Sequence, residues 1–132
     1  MSLQLLPAGE ESPDVQVSWE DQQKINLFSK LNARLSNLEE VEKNTKDQKE
    51  YLEEVSTEIE LIDEDELVQY KIGEAFYWLK QAEVVEKLEQ DTEKSEAELD
   101  DITTKMTSIK EQMESLKLAL YAKFGNAINL ER

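Results

Sequence analysis

The sequence predicts a mainly α fold: a long antiparallel two-helix coiled coil whose helices are joined by a β-hairpin. Three observations carry the core of this reading. Apolar residues recur at intervals of three and four along two long stretches, which is a heptad stripe. Between those stretches the period changes to two around a single glycine, as in a hairpin. The 132 residues include only 3 glycines and 2 prolines while 35% are charged, so few turns connect long elements.

Residues 1–17 hold both prolines and the acids Glu10, Glu11 and Asp14, and are expected to form a flexible acidic tail. Leu3, Leu5 and Leu6 are apolar enough to dock, but the composition favours a loose end. A single domain over 18–132 follows. Ser18 suits a helix N-cap, because its hydroxyl can accept from an orphan backbone N–H, and Glu20 and Asp21 favour the positive end of the helix dipole. The first helix is expected over about 19–63, roughly 64 Å at 1.5 Å per residue. Its stripe runs Ile25, Phe28, Leu31, Leu35, Leu38, Val41, Thr45, Gln48, Leu52, Val55, Ile59 and Ile62. The acids Asp63, Glu64, Asp65 and Glu66 mark its stop, since negative charge is unfavourable at a helix C-terminus.

The hairpin is expected over about 67–79. Leu67–Ile72 is rich in β-formers, Gly73-Glu74 suits a two-residue type II′ turn, and Ala75–Leu79 returns. That turn pairs Ile72 with Ala75, Tyr70 with Tyr77 and Val68 with Leu79, all on one apolar or aromatic face, leaving Gln69, Lys71, Phe76 and Trp78 on the other. An isolated two-stranded hairpin is marginal in water, and its edges and apolar face would lie open. With both helices spending their stripes on each other, the cover is expected from another chain. The alternative is a hairpin folded back on its own helices.

The second helix is expected over about 82–124, with the stripe Val85, Leu88, Thr92, Ser95, Leu99, Ile102, Met106, Ile109, Met113, Leu116 and Leu120, and Gly125 as the residue that ends it. Antiparallel pairing sets Leu52 opposite Ser95 and Gln48 opposite Leu99, so polar residues interrupt the middle of the seam. The same register gathers Ile25, Phe28 and Leu31 with Leu120, Tyr121 and Phe124 at the far end, followed by the apolar C-terminal segment 125–132. Such residues either seal that end as a cap or form a sticky surface. The two are compatible, because a frayed cap exposes what it hides.

Composition narrows the function. With 31 acids, 15 bases and a net charge of −16, the chain repels phosphate backbones and anionic membranes, so neither nucleic acid nor membrane is expected as a partner. There is no cysteine and no histidine, which removes Cys/His zinc sites and Ser-His or Cys-His catalysis. The N-terminus lacks the basic and long apolar regions of a secretory signal, and no run is apolar enough to span a bilayer. The chain is expected to be no enzyme, to need no cofactor, and to reside in the cytoplasm, compatibly with a nuclear pool.

Three stretches resemble the β-type subunits of prefoldin: Trp19–Asn26 with Phe28, Tyr70–Phe76 at the hairpin, and Leu120–Glu131. The last is the most specific, since nothing in a generic coiled coil requires it. The resemblance covers about residues 15–132. It implies a heterohexamer of two α-type and four β-type subunits, whose hairpins join into a β-barrel body while the coiled coils project from it. It further implies that the coil tips hold non-native actin and tubulin without ATP and pass them to the cytosolic chaperonin. Val68, Tyr70, Ile72, Ala75, Phe76, Tyr77 and Trp78 then fall in the assembly region, and Ile25, Phe28, Leu31, Leu120, Tyr121 and Phe124 at the client-binding tip. The single hairpin separates this chain from α-type subunits. A coiled-coil tether linking two partners is the alternative function, although it leaves the hairpin and the apolar C-terminal segment without a task.

Overall fold

The computed structural model describes residues 3–5 and 17–130. In chain order the elements are β1 (Leu3–Leu5), α1 (Trp19–Ile59), β2 (Leu67–Ile72), β3 (Ala75–Lys80), α2 (Gln81–Phe124), a 3-10 turn (Gly125–Ala127) and β4 (Ile128–Leu130). Two compact units result. A terminal unit comprises Met1–Glu40 and Thr103–Arg132, and a hairpin unit comprises Val41–Ile102.

In the hairpin unit the two helices run antiparallel, with the Lys49 ammonium 3.7 Å from a Glu96 carboxylate oxygen, within two residues of the register inferred above. Helix α1 ends at Ile59, short of the expected boundary near 63. The backbone tightens there: Leu61 N–H bonds the Glu58 carbonyl at 3.2 Å and Ile62 N–H that of Ile59 at 3.0 Å. The acidic run at 63–66 is a turn outside the helix. It closes the next helix instead, because the carbonyls of Glu66 and Glu64 accept from Gln81 N–H (2.8 Å) and Ala82 N–H (3.2 Å), two of the orphan donors at the start of α2. The buried Gln81 side chain completes the joint by donating Nε2–H to the Ile59 carbonyl at 2.9 Å. One residue thus satisfies the end of α1 and begins α2.

The stripes hold in kind but drift in detail. Val41 and Gln48 are exposed, while Glu42 and Lys49 are partly buried in their stead. A helix of 3.6 residues per turn slips relative to a strict 3.5 repeat, so the seam moves by one residue. At the start of α2 the buried residue is Val84, with Val85 only partly covered. Thr45 and Thr92 turn their hydroxyls back on the carbonyls of Val41 and Leu88, each at 2.8 Å, which lets polar side chains sit in the seam without orphaned groups.

The terminal unit is packed more heavily. Among the described residues it holds twelve of the sixteen buried apolar side chains, including Phe28, Leu35 and Leu120, each at 2% exposure or less. Gly125 has φ +55°, the left-handed conformation expected of the residue that ends α2. The chain then turns through 125–127 and returns as β4. Strand β1 pairs with it antiparallel, in the register Leu3↔Leu130, Gln4↔Asn129, Leu5↔Ile128. This corrects the expectation of a loose tail for these residues. An apolar strand edge offers main-chain partners that three residues of leucine-rich chain can take, and composition alone does not reveal that edge. The rest of the expected tail, 6–16, lies outside the described residues, as do 131–132.

Asn32 is buried between Leu31 and Leu35 with no hydrogen-bond partner for Oδ1. Replacing it by leucine should stabilise the terminal unit by about 1 kcal/mol, since an unsatisfied buried acceptor costs more than an apolar isostere. Gly125→Ala should cost about 1 kcal/mol by forcing a Cβ into the left-handed region. Chemical denaturation followed by circular dichroism checks both. A loss from Asn32→Leu would show that its amide is needed in the seam.

Candidate functional site

The hairpin surface follows from its register. Cα partners are Leu67↔Lys80, Val68↔Leu79, Gln69↔Trp78, Tyr70↔Tyr77, Lys71↔Phe76 and Ile72↔Ala75. Gly73 has φ +64° and no non-glycine residue among those described has positive φ, so the turn is left-handed at its first position alone, as type II′ requires.

What covers each face differs from the sequence argument. Val68, Tyr70 and Leu79 pack against a cluster of Leu52, Val84 and Leu88 with Val55 and Ile59, so the helices of this chain do cover part of the inner face. The expectation that another chain must supply all the cover is corrected. Heptad spacing concealed the reason: where the helices meet the hairpin, Leu52, Val84 and Leu88 offer apolar surface to the sheet as well as to each other. The Tyr70 hydroxyl donates to Asp91 at 3.1 Å, and burial, followed by this bond, raises its pKa above the usual tyrosine value.

The remainder of the hairpin is bare. On the inner face Ile72, Ala75 and Tyr77 are exposed. On the outer face Phe76 is 59% and Trp78 66% exposed, next to the exposed Leu67. The Lys71 ammonium stands 5.8 Å from the centre of the Phe76 ring, partly screening it. These exposed aromatic residues are contiguous on one small sheet rather than scattered. Of the seven assembly candidates, five (Ile72, Ala75, Phe76, Tyr77 and Trp78) are therefore available to a partner. Val68 and Tyr70 serve the hairpin's own seat.

The second candidate region, in the terminal unit, is a closed cap. Ile25, Phe28, Leu31, Leu120 and Phe124 are all buried, and Tyr121 is partly so. Ala127, Ile128 and Leu130 of the returning chain are buried as well, and the Tyr121 hydroxyl accepts from the Leu130 N–H at 3.1 Å. Of the two readings open in the sequence, the geometry realises the cap. Five of the six client-tip candidates form its interior and Tyr121 lies at its margin, where its hydroxyl meets the returning C-terminal segment. The large apolar side chains that this unit shows to solvent among the described residues are others: Trp19 (75% exposed), Leu118 (63%), Leu27 (44%) and Val17 (39%). Their place off the heptad stripe was the signal that could have found them.

Polar groups lock the cap at the start of α1. Ser18 N–H donates to Asp21 Oδ2 and Asp21 N–H to Ser18 Oγ, each at 3.1 Å, a reciprocal capping box. The Lys123 ammonium, near the end of α2, pairs with the same buried Asp21 carboxylate. This pair, ahead of the Ser18 bonds, lowers the Asp21 pKa from its ordinary 3.8 to about 2. No group of acids among the described residues could hold a metal ion, and no described helix is long and apolar enough to cross a membrane.

Comparison with known proteins gives a consistent picture. A family model described as "Prefoldin subunit" matches residues 22–127. A Saccharomyces cerevisiae protein named prefoldin subunit 4 is 47% identical over 98% of this chain and 100% of its own length. The Homo sapiens protein of the same name is 40% identical over 89% of each chain. In fold, the chain is similar to the crystal structure of the prefoldin beta subunit from Thermococcus strain KS-1, with a TM-score of 0.74 at 14% identity over 83% of this chain and 96% of the other.

The Asp21 pKa makes the cap acid-sensitive. A carboxylate whose folded pKa is depressed stabilises the fold above its ordinary pKa, and that contribution is lost as pH falls through the folded value. The cap should therefore be insensitive to pH from 7 down to about 4 and loosen between about 4 and 2. Titration of the Asp21 carboxyl carbon by NMR should give a midpoint near 2. In Lys123→Met the midpoint should rise toward 3.8. A midpoint unmoved by that substitution would remove the ammonium as the cause.

Proposed function

Because the chain belongs to the prefoldin family of chaperone subunits, we propose that its exposed hairpin surface docks it, as a β-type subunit, into a heterohexamer of two α-type and four β-type subunits. In that assembly it holds non-native polypeptides, actin and tubulin among them, and passes them to the cytosolic chaperonin. The observation that carries this reading is the distribution of burial. The hairpin unit holds only four of the buried apolar side chains among the described residues, yet it displays Phe76, Tyr77, Trp78, Ile72 and Leu67 to water. Removing the exposed part of each from water contributes on the order of 1 kcal/mol. Neighbouring hairpins would also pair the open strand edges, which an isolated hairpin leaves unsatisfied.

Holding needs no nucleotide, and the sequence carries no glycine-rich phosphate loop. Weak apolar contacts at several subunits sum through avidity, so each can remain reversible. Val17, Trp19, Leu27 and Leu118 are the large apolar residues described in the terminal unit that can meet a client without opening the cap. The acidic surface keeps such a chain dispersed while apolar groups stay exposed. A cytoplasmic location fits this role.

Two variants separate assembly from holding. Phe76→Asp combined with Trp78→Asp should abolish incorporation into the hexamer on co-expression with the partner subunits, read by native mass spectrometry. A normal hexamer would sink the assembly surface. Trp19→Ser combined with Leu118→Ser should leave the hexamer intact and reduce, by a few-fold, its suppression of aggregation of diluted, denatured actin. Phe124→Asp is a poorer probe, since Phe124 is only 4% exposed and its loss opens the cap itself.

A further inference from the structure

Strand β1 is a short extended segment, Leu3-Gln4-Leu5, seated on an edge that belongs to β4. Strand β4 is held from its other side. Ile128 and Leu130 are buried in the terminal unit, and the Leu130 N–H is tied to the Tyr121 hydroxyl on α2. The edge that faces β1 is thus a fixed main-chain template, presented by the turn at Gly125. Such an edge recognises any extended backbone, because main-chain hydrogen bonds do not depend on sequence, while nearby pockets take alternate side chains. Leu130 of β4 also lines a cavity of about 200 Å³, together with Phe28, Leu35, Met113, Lys110, Glu114 and Lys117. That volume accommodates an apolar side chain. Extended backbone with intermittent apolar side chains is what a non-native polypeptide offers.

We infer that β1 is a built-in stand-in for client: it occupies the β4 edge in the empty subunit, and an extended apolar segment of a non-native polypeptide takes its place on capture. This rests on the holding function proposed above and names the surface on which one client segment is held. One feature makes β1 displaceable: its ladder spans three residue pairs, and a two-stranded ladder is marginal in water. Its tether makes it effective all the same. The link from Leu5 to the start of α1 is short, so β1 faces its edge at an effective concentration in the millimolar range. A stray segment does not displace it, whereas a polypeptide already held by other subunits can. Between clients β1 blunts an edge that would otherwise pair with other chains.

The test uses the hexamer assembled with all partner subunits and a permanently unfolded probe, reduced and alkylated lactalbumin carrying a fluorophore. Removing residues 1–7 of this subunit should lower the apparent Kd by roughly threefold or more, because the competent edge is then always free. The opposite manipulation guards against a truncation that merely misfolds. The chain has no cysteine, so Gln4→Cys with Asn129→Cys, which are register partners, gives a single reversible lock. Oxidation should weaken probe binding and reduction should restore it. Binding unchanged by the lock, or unimproved by the truncation in an intact hexamer, would overturn the inference while leaving the holding function in place. Failure of the unmodified hexamer to hold the probe would overturn that function and this inference together.

Discussion

The hairpin has two faces, and the helices of its own chain can reach only part of one. The rest of the structure depends on that constraint. Val68, Tyr70 and Leu79 are seated on Leu52, Val84 and Leu88, which fixes the direction in which the strands leave the helices. Once seated, the hairpin cannot also turn Phe76 and Trp78 inward, because adjacent strand residues point to opposite sides. The outer aromatic surface is the geometric consequence of the inner seat. The joint built on Gln81 serves the same end. By closing α1 and opening α2 through one side chain and two loop carbonyls, it holds the strands at a defined start without a long, mobile linker.

The terminal unit solves a different problem. Two helix termini meeting side by side leave orphan backbone groups and open heptad ends, both prone to fray. Here the returning C-terminal segment covers the apolar ends, while Ser18, Asp21 and Lys123 satisfy the polar ones. The cap is therefore apolar inside and ionic at its rim. It buries Ile25, Phe28, Leu31, Leu120 and Phe124 and leaves Val17, Trp19, Leu27 and Leu118 exposed among the large apolar side chains described in this unit. A closed cap also keeps these apolar side chains out of non-specific contacts.

Much of this was legible before the fold. The heptad stripes gave both helices, and Ser18 and Gly125 marked the start of one and the end of the other. Gly73 gave the turn type and with it all the strand pairs. What failed did so for identifiable reasons. The seam beyond Leu38 was read at a strict 3.5 repeat, and the drift of a real helix exposed Val41 and Gln48. The acidic run 63–66 has the charge of a helix stop, whereas in the fold it is a turn whose carbonyls cap α2. Gln81 carried no signal, because a glutamine at the start of a helix has no pattern that distinguishes a buried donor from a solvated one. Leu3–Leu5 were read as part of a tail, because strand formation there requires an edge supplied by residues more than a hundred positions away.

The sequence by itself determined the element types, their order and the hairpin register. These rest on local quantities: periodicity, glycine conformation, charge, and the excess of aromatic residues in a short β segment. Only the tertiary structure decided which hairpin face remains bare, whether the terminal apolar residues are displayed or sealed, and where β1 lies. An alternating strand pattern names two faces and does not say which one a neighbour reaches. A cap and a sticky surface likewise share one composition. They differ in whether a distant segment folds over the residues, and that is settled by the free energy of packing them together rather than by any residue alone.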